Sequence, residues 1–282
     1  GGRLITRLGL RKYIPYLLPS KYTKATKEHY QFTEHTAMAR VDVSDTSSHD
    51  FMSYILRHND EKGMSRAEII ETASLLIIAG SETTATLLSG TTYYLLKNPD
   101  KLNKLVHEIR STFSSEDEIT LIRVDNLKYL LAVLNEGFRM YPPVSTGLSR
   151  FAPAGGEFIA SHWIPENTAV SVPHYPAYHS AYNFKDPEQF VPERWLDDPR
   201  YAKDNRAVLQ PFSAGPRDCI GKNLAYTEMR ILLTRLLWKF NLELQPKSEN
   251  WSDQKVFFLY EKFPMHVKMT EVVREKPVGE QD

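Results

Sequence analysis

The segment PFSAGPRDCIG, at residues 211–221, holds the only cysteine in a chain of 282 residues. A free cysteine is most often a small core residue, and composition alone favours that interpretation. The neighbouring residues argue against it, because Gly215 and Gly221 allow turns in which several backbone N–H groups converge on one point. Arg217 adds a positive charge, and the helical run that follows would bring its positive N-terminal end close to the sulfur. These features stabilise a thiolate at Cys219.

A thiolate serves proteins as a nucleophile or as a metal ligand. Nucleophilic use normally needs a nearby base, and nothing in the sequence ties any of the nine histidines to this loop. A zinc site would need further cysteines, which the chain lacks. A single protein thiolate is sufficient when a cofactor supplies all the other ligands of the metal. This indicates haem iron, to which an axial sulfur donates electron density.

A second feature is the segment AGSETT, residues 79–84, inside a long helical run at residues 65–97. Ser65 and Glu68 have the spacing of an N-terminal capping box, and Pro99 ends the run. A glycine, an acid and two threonines lower helix stability there, since glycine alone is about 1 kcal/mol worse than alanine. The segment is either a polar turn that faces the surface or a functional interruption of a core helix.

Four further charged positions stand out. Glu136 and Arg139 lie three residues apart in a predicted helix at residues 125–140, so both fall on one face. Taken alone, such a pair is most often a solvated salt bridge. Arg194 follows in the segment PERW, and Arg150 lies beside a strand-like run, where an arginine is commonly an ordinary strand-edge residue.

The cysteine segment resembles the haem-binding signature Phe-x-x-Gly-x-Arg-x-Cys-x-Gly of the cytochrome P-450 family, the haem-thiolate monooxygenases. The five fixed positions are occupied by Phe212, Gly215, Arg217, Cys219 and Gly221. The other motifs, AGSETT, Glu-x-x-Arg and Pro-Glu-Arg, occur in the family's order. The resemblance is to microsomal-type, fungal-like members.

For the haem, the resemblance implies that Cys219 is the axial ligand of the iron of haem b. Arg217 and Arg150 resemble the family arginines that pair with the haem propionates, because a guanidinium matches a carboxylate bidentately. The remaining signature residues that bind the cofactor would be Phe212, Gly215 and Gly221.

For the long helix, the resemblance implies an oxygen-binding groove. Ala79 and Gly80 would leave room for dioxygen, and Glu82 and Thr83 would be the acid and alcohol that relay protons to it. Away from the chemistry, Arg194 would join the Glu-x-x-Arg pair in a buried triad that fixes residues 196–210. Removing one member of a buried charge cluster costs about 3 to 5 kcal/mol, so the triad would be structural.

The implied fold is mainly α with small β-sheets (α+β), a single C-terminal portion of a cytochrome P-450 domain over residues 1–282. Helices are predicted at residues 65–97, 99–113, 125–140 and 224–240. Strand-like runs are predicted at residues 158–160, 168–172, 242–244, 255–260 and 265–269.

Composition limits the partners. The chain has 35 basic and 35 acidic residues, and a net charge of zero gives no electrostatic footprint for nucleic acid. One cysteine allows no internal disulfide, which fits a reducing compartment. Apolar runs such as that at residues 75–79 are far too short to span a membrane. Residues 1–27 contain seven Lys or Arg and no acid, which suits either an anionic membrane surface or a solvated helix end.

These features predict a monooxygenase that inserts one oxygen atom into a lipophilic small molecule in secondary metabolism or detoxification. Electrons would come from NADPH through cytochrome P-450 reductase, since the chain has no GxGxxG segment. The full-length protein would lie on the cytoplasmic face of the endoplasmic reticulum membrane. A haem-thiolate isomerase or dehydratase is the alternative enzyme, and it needs no relay like Glu82 and Thr83.

The chain begins without methionine and has no Trp-x-x-x-Arg motif, so the resemblance covers only the C-terminal half, or slightly more, of a family member. A catalytically silent fragment is therefore a third hypothesis, and the activity of the chain alone is in doubt. On this interpretation the apolar surface around residues 75–79 is expected to be uncovered.

Overall fold

The computed structural model describes residues 20–43, 47, 50–57 and 63–274. The chain divides into two compact units, Gly1–Ser81 and Glu82–Asp282, and the boundary falls inside a helix of 32 residues. Most of the basic segment predicted to meet a membrane surface lies outside the described residues. The mainly α prediction with small sheets is confirmed, because the elements are helices joined by short antiparallel strands. No described helix is long and apolar enough to cross a membrane.

The first unit contains two helices that the sequence analysis missed. They are α1 (Ser20–Asp42) and α2 (Phe51–Arg57), which precede the first half of α3 (Arg66–Lys97). The sequence of helix α1 has no strong apolar pattern that would have predicted it. Among its described side chains, those that are buried are Thr33, Ala37 and Met38. The last two pack with Ile69 and Ile70 of α3.

The start of α3 is capped as the sequence predicts. Ser65 Oγ accepts a hydrogen bond from the Glu68 N–H at 3.3 Å, and the Glu68 carboxylate accepts one from the Ser65 N–H at 2.8 Å. Further along, Leu75 is 66 % exposed and Ile78 is 44 % exposed. The prediction of uncovered apolar surface on this part of the helix is confirmed.

The second unit packs the second half of α3 against the helices that follow it. These are α4 (Pro99–Thr112), α5 (Leu121–Val124), α6 (Lys128–Met140), α7 (His174–Tyr178) and α8 (Lys222–Lys239). Fully buried Leu87, Leu105 and Leu130 belong to one apolar core shared by α3, α4 and α6. Helix α6 starts three residues later than predicted, because Leu127 before it has an extended backbone.

The N-terminus of α6 is capped from a neighbouring helix. The carboxylate of Glu108 in α4 accepts hydrogen bonds from the N–H groups of Tyr129 and Leu130, at 2.8 and 2.9 Å. These are two of the four N–H groups that a helix leaves without a partner in its first turn, and a negative charge is favourable there. The contact fixes the position of α6, which carries the Glu-x-x-Arg motif.

Helices α3 and α6 approach each other closely at two glycines. A Cβ at Gly90 would lie 2.3 Å from the ring of Tyr141, and a Cβ at Gly137 would lie 2.1 Å from Oγ1 of Thr91. Neither distance is compatible with a real side chain. The glycine inside the motif Glu-Gly-Phe-Arg therefore has a packing role.

We expect Gly137→Ala to lower the free energy of unfolding by about 1–3 kcal/mol, the usual cost of an extra carbon in a packed core. Thr91→Ala removes the clashing hydroxyl, so the double variant should recover most of the loss. Urea unfolding midpoints at constant m-value measure both effects. Equal destabilisation with and without Thr91→Ala would contradict the contact.

Three two-stranded antiparallel sheets complete the unit. Strand β1 (Arg150–Phe151) pairs with β4 (Ala169–Val170), and β2 (Glu157–Ile159) pairs with β3 (His162–Ile164). Strand β5 (Phe240–Leu244) continues from α8 and pairs with β6 (Val267–Glu271). Four of the five predicted strand-like runs thus overlap observed strands.

The prediction of a strand at residues 255–260 was wrong. The chain turns back on itself there, with a single bridge between Val256 and Tyr260 and a hydrogen bond from the Glu261 N–H to the Lys255 carbonyl at 2.9 Å. The apolar residues of this run do not face one side of a sheet. Tyr260 is buried, while Phe257 at the tip of the turn is exposed. The segment is a short hairpin anchored at its base.

Candidate functional site

The loop around Cys219 is closed by its own backbone. The N–H of Cys219 donates to the carbonyl of Phe212 at 2.9 Å, the N–H of Asp218 to Gly215 at 3.1 Å, and the N–H of Lys222 to Cys219 at 3.3 Å. Those three N–H groups are therefore used within the loop and do not form the predicted nest around the sulfur. Gly215 has a φ of +81°, a conformation that side chains disfavour, so its place in the motif has a backbone reason.

The thiol of Cys219 is free and exposed. The alternative of a small core residue, which composition alone favoured and the neighbouring residues argued against, is excluded because the side chain lies outside the core. Helix α8 begins at Lys222, three residues after the cysteine. A helix N-terminus therefore lies close to Cys219 in the chain, as predicted. A Cβ at Gly221 would lie 3.9 Å from the sulfur, so the glycine leaves that side of the thiol uncovered.

Phe212 fastens the start of the loop to the core. Its ring lies 5.1 Å from that of Phe138 in α6 and 5.2 Å from that of Tyr226 in α8, in edge-on and tilted arrangements that aromatic pairs favour. The loop is therefore held between the two helices while the thiol points away from their core.

Two arginines reach this loop. Arg150, on strand β1, donates through Nη2 to the Ser213 hydroxyl at 3.4 Å, which brings a cation from 63 residues away to the loop. Arg217 lies in the loop itself, and both side chains are exposed. The structure thus brings Arg150, Arg217 and Cys219 into one region of the second unit. That they bind a cofactor stays a prediction.

The Glu-x-x-Arg motif is a buried cluster and not a solvated salt bridge. The side chains of Glu136, Arg139 and Arg194 are all fully buried. Glu136 accepts two hydrogen bonds from Arg139, at 2.8 and 3.0 Å, and one from Arg194 at 3.1 Å. The predicted triad is therefore present.

The cluster has two members that the sequence analysis missed. The indole N–H of Trp195 donates to Glu136 at 2.9 Å, and Asp204 pairs with Arg194 through its carboxylate. Two buried arginines carry two positive charges, and Glu136 balances one of them. Asp204 supplies the second negative charge. It lies inside the segment between Arg194 and the cysteine loop, so the cluster fixes that segment as predicted.

Glu82 and Thr83 follow each other in α3, and both are partly buried. The Glu82 carboxylate forms an ion pair with Lys262 and accepts a hydrogen bond from the Thr86 hydroxyl at 3.3 Å. Lys262 was missed because no sequence pattern links residues 180 positions apart. Ala79 and Gly80 belong to the first unit, and a Cβ at Gly80 would meet nothing within 4 Å.

The residues around Cys219 suit a haem better than a bare metal ion. Among the described residues, no three His, Cys, Asp or Glu side chains gather where they could hold a metal. An exposed thiol beside two exposed arginines matches a ring system that has a metal at its centre and carboxylates at its edge.

Comparisons with known proteins agree with one another. The family model described as Cytochrome P450 matches residues 3–269. The chain is 48% identical, over 92% of its length, to Cytochrome P450 monooxygenase astA of Talaromyces wortmannii, and it covers 52% of that protein. It is 49% identical, over 92% of its length, to Cytochrome P450 monooxygenase lcsI of Purpureocillium lilacinum, covering 50% of it.

A third relative has a more specific name. Averantin hydroxylase of Dothistroma septosporum is 43% identical over 96% of the chain, which covers 53% of that enzyme. The chain thus spans about half the length of the curated relatives that it matches.

Proposed function

The chain belongs to the cytochrome P450 family, and we propose that it forms the haem-thiolate half of a monooxygenase that inserts one oxygen atom into a lipophilic small molecule. The observation that carries the proposal is the exposed, lone thiol of Cys219 in a loop held between α6 and α8. A thiol that only packed would be buried.

In this proposal Cys219 holds the iron of haem b as a thiolate, and the haem supplies the redox chemistry. Arg150 and Arg217 bind the propionates, since each is an exposed cation of the same loop region. Phe212 keeps the loop attached to α6, while Gly215 and Gly221 allow its turns and leave the sulfur accessible.

The proton chemistry is assigned to α3. Glu82 holds and exchanges protons with solvent, because its side chain is partly exposed, and the Thr83 hydroxyl places them. Ala79 and Gly80 lie one helical turn before Thr83, and their small size leaves room for dioxygen. Retention of this pair is the reason to prefer a monooxygenase over a haem-thiolate isomerase or dehydratase.

Electrons are proposed to come from NADPH through cytochrome P450 reductase. The proposed place is the cytoplasmic face of the endoplasmic reticulum membrane, and the proposed setting is secondary metabolism or detoxification. The name averantin hydroxylase supports hydroxylation as the kind of reaction. The substrate of this protein is a separate question that a screen of lipophilic compounds addresses.

The test uses the full-length, haem-loaded protein. The reduced protein exposed to carbon monoxide should show the red-shifted absorbance band of a haem-thiolate. Product should then form only when NADPH and reductase are both present. A red-shifted band with turnover that needs neither would favour the isomerase or dehydratase alternative, and no band would contradict the haem-thiolate proposal.

We expect Thr83→Ala to keep haem and substrate binding and to lower the product formed per NADPH consumed. Positioned proton transfer typically contributes about a hundredfold or more to the rate, and the unused electrons appear as hydrogen peroxide. Thr83→Ser is the matched control, because it keeps the hydroxyl. A product ratio unchanged by Thr83→Ala would assign Thr83 to helix packing alone.

A further inference from the structure

Lys262 closes a small polar network on α3. Its ammonium forms the ion pair with Glu82 and also donates to the hydroxyl of Thr86, which in turn donates to Glu82. The Lys262 side chain is only 22% exposed, and Thr86 is fully buried. Ion pairs that are partly buried are screened less than surface pairs, so this contact restrains the Glu82 side chain.

The backbone on both sides of Lys262 is anchored in the core. The ring of Tyr260 stacks on that of Tyr141 at 4.0 Å. The carbonyl of Phe263 accepts a hydrogen bond from the indole of buried Trp251 at 2.7 Å. Lys262 lies between these two anchors. The position of its backbone is therefore fixed, unlike that of a lysine on a free loop, and this limits where its ammonium can lie.

The nearby tyrosines do not offer a competing charge. Burial raises the pKa of Tyr141 and of Tyr260 far above the ordinary value, so both stay neutral phenols. Neither tyrosine is thus an anion that would compete with Glu82 for the Lys262 ammonium.

The network determines where the Glu82 carboxylate lies on the helix. Successive residues are about 100° apart around a helix, so Thr86 lies only about 40° from Glu82 while Thr83 lies about 100° away. The carboxylate is held on the Thr86 side. Without Lys262, the partly exposed side chain would be able to take other rotamers.

We propose that Lys262 is a positioning residue for Glu82, holding its carboxylate on the Thr86 side of α3 and so setting the place from which Glu82 exchanges protons. The proposal rests on the proton role given to Glu82 in the proposed function. It assigns no chemical step to Lys262. Its effect on turnover therefore passes entirely through Glu82.

The first measurement needs no turnover. Thermal unfolding is compared for the unchanged protein, Glu82→Gln, Lys262→Met and the double variant, all full-length and haem-loaded. We expect Lys262→Met to lower the Tm by roughly 2 °C when Glu82 is present and to have little effect in the Glu82→Gln background. Equal shifts in both backgrounds would overturn the pairing.

The second measurement is product formed per NADPH consumed in the same four proteins. We expect Glu82→Gln and Lys262→Met each to lower the ratio, by roughly tenfold or less for Lys262→Met. Lys262→Met should lower it no further in the Glu82→Gln background. Lys262→Arg should keep most of the ratio because it keeps the cation, a rescue that a role in packing alone does not predict.

Two controls separate the possible failures. Lys255→Met removes an exposed lysine from the same hairpin and should leave the ratio and the Tm unchanged. The carbon monoxide band must be present in every variant, and Lys262→Gln replaces Lys262→Met if that protein lacks it. An equal fall of the ratio in both backgrounds overturns the role of Lys262 and leaves the proton relay intact. A ratio unaffected by Glu82→Gln overturns the relay itself, and the positioning role with it.

Discussion

Cys219→Ser is expected to abolish the red-shifted carbon monoxide band of the full-length, haem-loaded protein and, with it, product formation. Serine offers an alcohol where iron needs a thiolate, and the effect should be complete. The fold should survive, because the thiol is exposed and the loop closes through backbone hydrogen bonds that serine also forms. Absorbance spectra of matched samples measure the loss.

The control is Asp218→Asn, which changes an exposed charge next to the cysteine and leaves the sulfur in place. It should retain the band. Urea unfolding of the haem-free Cys219→Ser protein should match that of the haem-free unchanged protein, because any difference between the loaded proteins also contains the lost haem binding. Persistence of the red-shifted band after Cys219→Ser would refute the ligand assignment.

Sequence patterns predicted the parts of this site that depend on near neighbours. The cap at Ser65 and the turn at Gly215 are local, so composition and spacing were sufficient for them. The partnership of Glu136 with Arg139 was also visible as helical spacing. Arg194 was added by family resemblance, since residues 58 positions apart share no local pattern.

The parts that were missed depend on tertiary packing. Glu108 caps α6 from another helix, and Lys262 reaches Glu82 from the far end of the chain. The run at residues 255–260 alternates like a strand, but it has no neighbouring strand with which to pair. Its one buried residue, Tyr260, is buried instead by stacking on Tyr141. Such partners follow from topology, which no local pattern encodes.

Glu136→Ala is expected to lower the free energy of unfolding by about 3–5 kcal/mol. It removes the acceptor of five hydrogen bonds. Two fully buried guanidinium groups then remain, with a single carboxylate in the cluster to balance their charge. That carboxylate belongs to Asp204 and contacts only Arg194 in this cluster. Chemical denaturation with a constant m-value measures the change.

The matched control is Glu243→Ala, which breaks a pair with Lys268 on the sheet of β5 and β6. Both side chains are more than 60% exposed, and such surface pairs contribute about 0–1 kcal/mol. Glu136→Gln should fall between the two, because it keeps the shape and loses the charge. A loss at Glu136 no larger than that at Glu243 would show that the cluster does not stabilise the fold.

Helix α6 holds both ends of the connection that leads to the cysteine. Arg194, before the connection, bonds to Glu136, and Phe212, after it, packs against Phe138 two residues further along α6. Local openings of a folded chain occur in cooperative units, and a segment fastened twice to one helix cannot open from either end alone. Amide exchange inside this connection, for example at Leu209, whose N–H bonds to the Arg206 carbonyl, should therefore report the opening of α6 and not the motion of a surface loop.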